Sequence, residues 1–280
     1  MIPDVTYFIL DYNPRCQDQA SGYLDACIRS LYANRNSSIT SEVYVIDQGN
    51  GFTDYKNALA NKCAGYGFHF VGLDHNKGIS GGINLAARLS RSPHLCLVTS
   101  DTTFTPELDT VLLGELEAHD DIYQITPSVD KGDIPYQVQG FTDSKDPIRC
   151  AVQELTIQCW KREVFDVIGY WDERWLACYE SADYPLRLFL TGRCSAAITH
   201  KISCHHEHNT TYHNGSLADA YGGQFDHGPL RHMWDEKWPG LDWDMLYDLT
   251  QYNETTRARL AAQYYQNIAL SWNAQQSSGT

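Results

Sequence analysis

Short apolar runs separated by stretches of helical spacing restrict the first half of this chain to one kind of architecture. Five runs have strand length: Val5–Leu10, Glu42–Asp47, Phe68–Leu73, His94–Val98 and Asp121–Thr126. Between them, Gly22–Asn34, Asp54–Ala64, Gly78–Arg91 and Pro106–His119 carry helical spacing or composition. Strands that alternate with helices form a mainly parallel sheet covered by helices, because a parallel pair needs a crossover and the helix supplies it. The expected class is α/β and Rossmann-like. In such sheets ligands collect outside the carboxyl ends of the strands. The residues at those ends are polar here: Asp11-Tyr12-Asn13, Asp47-Gln48-Gly49-Asn50, Asp74-His75-Asn76 and Ser100-Asp101-Thr102.

After residue 127 the rhythm changes. Ser128 to Arg149 is polar, contains Gly and Pro, and is expected to be a long loop or irregular hairpin. A strand over Ala151–Gln158, a short helix over Lys161–Ile168, a Trp-rich acidic loop, a helix over Ser181–Thr191 and a strand over Ala197–Ser203 are expected to follow. The polar, aromatic tail from Leu241 has helical character over Thr255–Ile268, and Gln275 to Thr280 is expected to fray.

Charge narrows the partners. With 35 acidic residues against 21 basic ones the net charge is -14, which repels a phosphate backbone and disfavours non-specific nucleic-acid binding. No stretch approaches the roughly 20 apolar residues of a membrane helix, and the start lacks the basic segment of a secretory signal. Nine cysteines with no C-x-x-C pair suit reduced thiols. A cytoplasmic protein is expected.

Three constellations carry chemistry. Asp101 follows the apolar Leu95-Cys96-Leu97-Val98, where a fixed carboxylate either ligates a divalent ion bridging a diphosphate or caps a turn. Glu180 and Asp183 stand at the start of a helix, on one face with Arg187. They are either a salt-bridged helix start or a general base that deprotonates a hydroxyl. Cys204-His205-His206-Glu207-His208 follows a strand, so His206 and His208 are expected on one face and His205 on the other.

Taken in order, Tyr44-Val45-Ile46-Asp47-Gln48-Gly49, Asn76-Lys77-Gly78-Ile79-Ser80-Gly81-Gly82-Ile83-Asn84 and Leu97-Val98-Thr99-Ser100-Asp101-Thr102 resemble the V-D-N-G-S, N-x-G-x-x-x-G-x-N and L-N-P-D-T elements of family 2 glycosyltransferases. The likeness continues through Arg162 to Glu173, Glu180 to Arg187, His205 and Lys237-Trp238-Pro239-Gly240. That family consists of inverting enzymes with the GT-A fold. The resemblance implies a nucleotide-sugar donor and Mn²⁺ or Mg²⁺. The acceptor would come from glycans, lipid-linked intermediates, proteins or modified nucleobases. Position by position it gives donor binding to Asp11, Asn13, Asp47, Asn76, Gly78, Asn84 and Ser100, and the metal to Asp101 and His205. With Ser181 at the usual base position, the catalytic carboxylate is expected to be Glu180 or Asp183, Asp183 otherwise binding an acceptor hydroxyl; Trp171 and Trp175, which flank the acidic loop, are either an acceptor platform or core, and Arg187 is expected on the acceptor side. Thr99 stands where the D-x-D motif has its first acid, and Ser181 where the family's base usually stands. The expected division is a donor-binding half (1–127), an acceptor-binding and catalytic half (128–240) and a small helical or irregular C-terminal extension (241–280).

Two other readings stay open. A non-catalytic sugar- or nucleotide-binding protein accommodates the acids missing at Thr99 and Ser181. A serine α/β-hydrolase is allowed by Gly78-Ile79-Ser80-Gly81-Gly82, which satisfies G-x-S-x-G, with Asp183 and His205 or His208 downstream.

Overall fold

The computed structural model describes residues 2–13, 18–176, 178–207, 227–241 and 243–277. Its centre is a sheet with strands β1 (Val5–Asp11), β2 (Ser41–Asp47), β3 (His69–Gly72), β4 (His94–Thr99), β5 (Thr102–Thr103), β6 (Ile122–Val129), β7 (Ile148–Cys150), β8 (Ile157–Lys161) and β9 (Ser195–His206). The order is β3-β2-β1-β4-β8-β6-β9-β5, with β7 paired to β9. The β3-β2-β1-β4 half is parallel. β8 enters antiparallel between β4 and β6, so residues from either side of position 128 share one sheet.

Alternation explains why β1 can be buried throughout. Val5, Tyr7 and Ile9 face one apolar cluster with α1 (Asp18–Asn34), α2 (Thr53–Gly65) and α4 (Leu108–Ala118), while Phe8 and Leu10 face another with α3 (Gly78–Leu89), α5 (Val164–Ile168) and α6 (Glu180–Leu190). A strand in the middle of a two-sided sheet has no solvent face, and all seven of its residues are buried.

A third cluster lies beyond α6. Ala182, Leu186 and Leu190 of α6 pack with Trp175, with Trp234 of α7 (His227–Lys237), with Leu246 of α8 (Trp243–Tyr247) and with Leu260 of α9 (Glu254–Ser277). The helical extension is thus attached through buried apolar surface.

The largest departures from expectation lie in the middle of the chain. Of the strand expected over 151–158, only Ile157 and Gln158 are in a strand, the start of β8; residues 151–156 are irregular chain between β7 and β8. Gln153 and Glu154 spend their polar groups there on side-chain bonds: Gln153 Nε2 donates to the Ala197 carbonyl at 2.6 Å, and the Glu154 N–H donates to Gln137 Oε1 at 2.8 Å. These bonds satisfy buried groups without a ladder. The segment expected as a loop over 128–149 contains a 3-10 turn at Pro135–Gln137. β9 reaches Ser195 and His206, longer at both ends than expected, and α9 begins at Glu254.

Candidate active site

The carboxyl ends of β1 and β2 stand side by side, because their parallel register pairs Asp11 with Asp47. Both residues are buried, at 3% and 0% exposure. Asp11 Oδ2 accepts from Tyr55 Oη at 2.7 Å and from Asn50 Nδ2 at 3.0 Å. Burial pushes its carboxyl up to about 7, against the Tyr55 hydrogen bond and with the help of the neighbouring Asp47 charge. Asp47 is raised by burial as well, opposed by the Asn50 N–H at 3.1 Å and by Lys56, whose Nζ lies 3.7 Å from Oδ2. Asn50 Oδ1 also accepts the Asn13 N–H at 2.7 Å. Asn50 and Tyr55 therefore build this end of the site with Asp11, Asn13 and Asp47.

The next loop is locked by its own chemistry. Asn76 Oδ1 accepts the Gly78 N–H at 2.7 Å, and Gly78 adopts φ +69, where a Cβ would collide with the Leu176 backbone. Gln48 Nε2 holds the Gly78 carbonyl at 3.0 Å. Asn84, buried in α3, grips Trp171 from both sides: its Nδ2 donates to the Trp171 carbonyl and its Oδ1 accepts the Trp171 N–H, each at 2.9 Å. Its amide is spent on placing the 171–176 loop rather than on a ligand. Ser100 lies in the partly exposed turn after β4. Ser80 is inside α3 at 0% exposure, not on a sharp strand-to-helix turn, so the nucleophile-elbow geometry of a hydrolase is not there.

Beyond that turn, β5 pairs antiparallel with the end of β9, Thr102 opposite His206 and Thr103 opposite His205. The Glu207 N–H donates to the Asp101 carbonyl at 3.0 Å. This brings Asp101 beside the histidine cluster, and the ring that faces its carboxylate is His206, with Nε2 3.6 Å from Asp101 Oδ2. The His205 ring turns to the other face, with Nδ1 2.5 Å from Asp130 Oδ2 and Nε2 2.9 Å from Glu207 Oε1. Alternation along β9 is the cause: it sets His206 beside Asp101, where the resemblance had implied His205. Behind His206, Glu154 Oε2 lies 3.7 Å from Nδ1. Burial lowers the His206 imidazole, but Asp101 and Glu154 outweigh it and hold the ring up to about 9. His208 lies outside the described residues.

Thr99, at the position of the missing acid, bonds Thr102 through their hydroxyls at 2.6 Å. Among the described residues no group of three or more His, Cys, Asp and Glu side chains is arranged to hold a metal ion unaided. Asp101 and His206 nevertheless offer a carboxylate oxygen and an imidazole nitrogen, a donor pair that suits Mn²⁺ or Mg²⁺ when phosphate oxygens complete the shell.

α6 begins after two consecutive residues in the left-handed region, Cys178 at φ 66 and Tyr179 at φ 63, backbone strain of the kind concentrated at functional sites. It delivers Glu180 into a buried position, 3% exposed, with Oε2 lacking a hydrogen-bond partner. Burial pushes this carboxyl up to about 8, opposed by a backbone hydrogen bond and assisted by the Asp183 charge. Asp183 has the opposite environment: its Oδ1 accepts from Lys237 Nζ at 2.7 Å and from Trp238 Nε1 at 2.9 Å.

The residues expected at the acceptor side are packed instead. Trp171 stacks on Tyr184 with centroids 4.4 Å apart, and Trp175 is fully buried in the third cluster, so neither ring offers an open platform. Arg187 donates to the Tyr170 carbonyl at 2.9 Å and to the Ile168 carbonyl, and lies over the Tyr184 ring. It ties α6 to the end of α5.

Glu154 was not singled out from the sequence, and His206 was placed in the histidine cluster without being chosen as the partner of Asp101. A two-residue strand such as β5 leaves no periodicity to set the register of the histidines, although an acid inside the strand-like Val152-Gln153-Glu154-Leu155-Thr156-Ile157 was a visible signal.

Comparison with known proteins adds the family. The model of the family described as Glycosyl transferase family 2 matches residues 17–166. No curated protein matches the sequence. A crystal structure of GalNAc-T7 with UDP, GalNAc and Mn²⁺ superposes with TM-score 0.62 at 10% identity, over 94% of this chain and 58% of that one. The mannosyltransferase PcManGT from Pyrobaculum calidifontis, in complex with GDP-Man and Mn²⁺, superposes with TM-score 0.62 at 14% identity, over 100% of this chain and 80% of that one. S. aureus TarS 1-349 gives TM-score 0.54 at 14% identity, over 92% and 83% of the two chains. At these identities the likeness is one of fold, the GT-A arrangement. The chain spans little more than half the length of GalNAc-T7, at 58%.

Proposed function

This chain belongs to glycosyl transferase family 2, and from that premise we propose that it moves a sugar from a nucleotide-diphosphate donor to an acceptor hydroxyl, with inversion and with a divalent cation assisting. The observation that carries the reading is the Asp101–His206 pair at the carboxyl end of β4, 3.6 Å apart.

Residues 1–127 take the donor. Asp11, Asn13, Asp47 and Asn50 line the strand ends where the nucleoside binds, and Asn76, Gly78, Asn84 and Ser100 shape the pocket wall. Residues 128–240 add His206 to the cation site and supply the catalytic carboxylate, while Leu246 and Leu260 of the C-terminal extension pack with α6. Asp101 and His206 hold the cation, Mn²⁺ or Mg²⁺, which when bound offsets the charge on the departing diphosphate. Glu180 accepts the proton of the attacking hydroxyl. Burial gives it a pKa of about 8, matched to proton abstraction near neutrality. Attack in line with the leaving diphosphate inverts the anomeric centre. Asp183, paired with Lys237 and bonded by the Trp238 indole, anchors the start of α6.

GalNAc-T7 and PcManGT were solved with Mn²⁺ and with UDP or GDP-Man, which supports the donor class. Among the described residues no helix is long and apolar enough to cross a membrane. A cytoplasmic location completes the reading, supported by nine cysteines with no C-x-x-C pair.

A thermal-shift panel of UDP-, GDP-, dTDP- and CMP-sugars with Mn²⁺ tests the donor. At about 100 times Kd a bound donor adds roughly 2.7 kcal/mol, a rise of several degrees in Tm. A flat response to every nucleotide sugar would remove the reading.

A further inference from the structure

Resting on Asp101 and His206 as cation ligands, we propose that Glu154 is a positioning residue that decides which nitrogen of His206 meets the cation. Glu154 belongs to none of the sequence motifs. It sits in the irregular chain between β7 and β8, with its side chain only 10% exposed.

Its carboxylate is fixed from both ends. Oε1 accepts the backbone N–H groups of Asp133 and of Ile134, the latter at 3.0 Å, and Gly132 packs so closely that a Cβ there would overlap the carboxylate. The residue's own N–H is held by Gln137 Oε1 at 2.8 Å. Two donors on one oxygen prevent the group from turning, so Oε2 is left buried, without a hydrogen-bond partner and 3.7 Å from His206 Nδ1. A carboxylate can only accept. In the neutral ring the proton therefore belongs on Nδ1, and the lone pair on Nε2 is directed to the Asp101 side, 3.6 Å away.

The arrangement also supplies what Thr99 lacks. With the Thr99 hydroxyl engaged by Thr102, the second negative charge near the cation comes from behind the imidazole, relayed through the ring.

Glutamine at position 154 separates this role from mere loop capping. The two loop N–H groups demand the amide oxygen, which turns the amide NH₂ toward Nδ1. Nδ1 must then accept, the ring proton moves to Nε2, and the ligating lone pair is lost. A capping role alone predicts that this nearly isosteric change is silent.

The experiment is a Mn²⁺ titration of the full chain in the presence of UDP or GDP, with protein-bound Mn²⁺ and the nitrogen coupling of a ligated imidazole read by pulsed EPR. Glu154→Gln is expected to lower Mn²⁺ affinity roughly 10–100-fold and to erase the nitrogen coupling, with the metal-free Tm close to wild type. Asp101→Ala in the same series reports on the parent reading. If Asp101→Ala loses Mn²⁺ while Glu154→Gln keeps wild-type affinity and coupling, the inference falls and the parent reading stands. If Asp101→Ala binds like wild type, both fall.

Discussion

Glu180 and Asp183 lie within one turn of α6 and meet opposite environments, and their chemistry follows from that difference. Glu180 is buried with an unsatisfied oxygen and is lifted to about 8, whereas Asp183 is clamped by an ammonium and an indole N–H. A base of this kind is competent only when ionised, so transfer is expected to climb as pH rises toward about 8 and then level off. Glu180→Gln should flatten that profile by abolishing transfer while donor-induced thermal shifts persist. The same shift acts on stability. The folded state holds the Glu180 proton more tightly than the unfolded chain, whose value is about 4.5, so this contribution is complete below 4.5 and is lost as pH climbs through about 8. Glu180→Gln should therefore gain stability relative to wild type as pH goes from 5 to 8, by an amount on the order of a few kcal/mol, seen as a rising Tm difference; an unchanged difference across that range would contradict the burial of an ionisable group there. Lys237→Ala leaves Asp183 charged and buried without its ammonium partner and is expected to cost about 3 kcal/mol in denaturant unfolding. At this scale the sequence located the acids and the histidine cluster. Which histidine faces Asp101 depends on strand register, which pairing with Thr102 and Thr103 sets and local composition does not encode.

Among the elements, α6 shows how one residue's covalent chemistry joins distant segments. Pro185 has no N–H to give the Ser181 carbonyl four positions earlier, and the freed oxygen is taken by the Gln153 N–H at 3.2 Å. The start of α6 is thereby fastened to the segment that carries Glu154. The loop before α3 depends on Gly78 in a similar way. Gly78→Ala would place a Cβ against the Leu176 backbone at φ +69, and a loss of about 1–3 kcal/mol is expected, measurable as a lowered urea midpoint with an unchanged slope. The parallel strands β1, β2 and β4 were legible as apolar runs because each carries several buried residues, and β3, none of whose four residues is fully buried, through Phe70 and Val71, which pack against the first two clusters. β5, with two residues, and the break between β7 and β8 were not, since their pairing is fixed by partners far along the chain. Trp171 and Trp175 misled for a related reason. Aromatic rings beside acids look the same in sequence whether they stack on a ligand or, as here, on Tyr184 and within the third cluster.

Across the whole molecule, three apolar clusters hold one sheet whose carboxyl edge gathers Asp11, Asp47 and Asp101, while β9 runs back to the same edge with His206. The alternation of runs and helices foretold the α/β class. The placement of β8 between β4 and β6 could not be read from it, because spatial order is not written in local periodicity. The site's central element is the meeting of Asp101 with one particular imidazole, and resemblance and geometry name different ones. The decisive measurement is the Mn²⁺-dependent rise in Tm with a nucleoside diphosphate, compared across wild type, Asp101→Ala, His205→Ala and His206→Ala. The rise is expected to disappear in Asp101→Ala and His206→Ala and to survive in His205→Ala. A rise that survives in His206→Ala and vanishes in His205→Ala would contradict the pairing of Asp101 with His206.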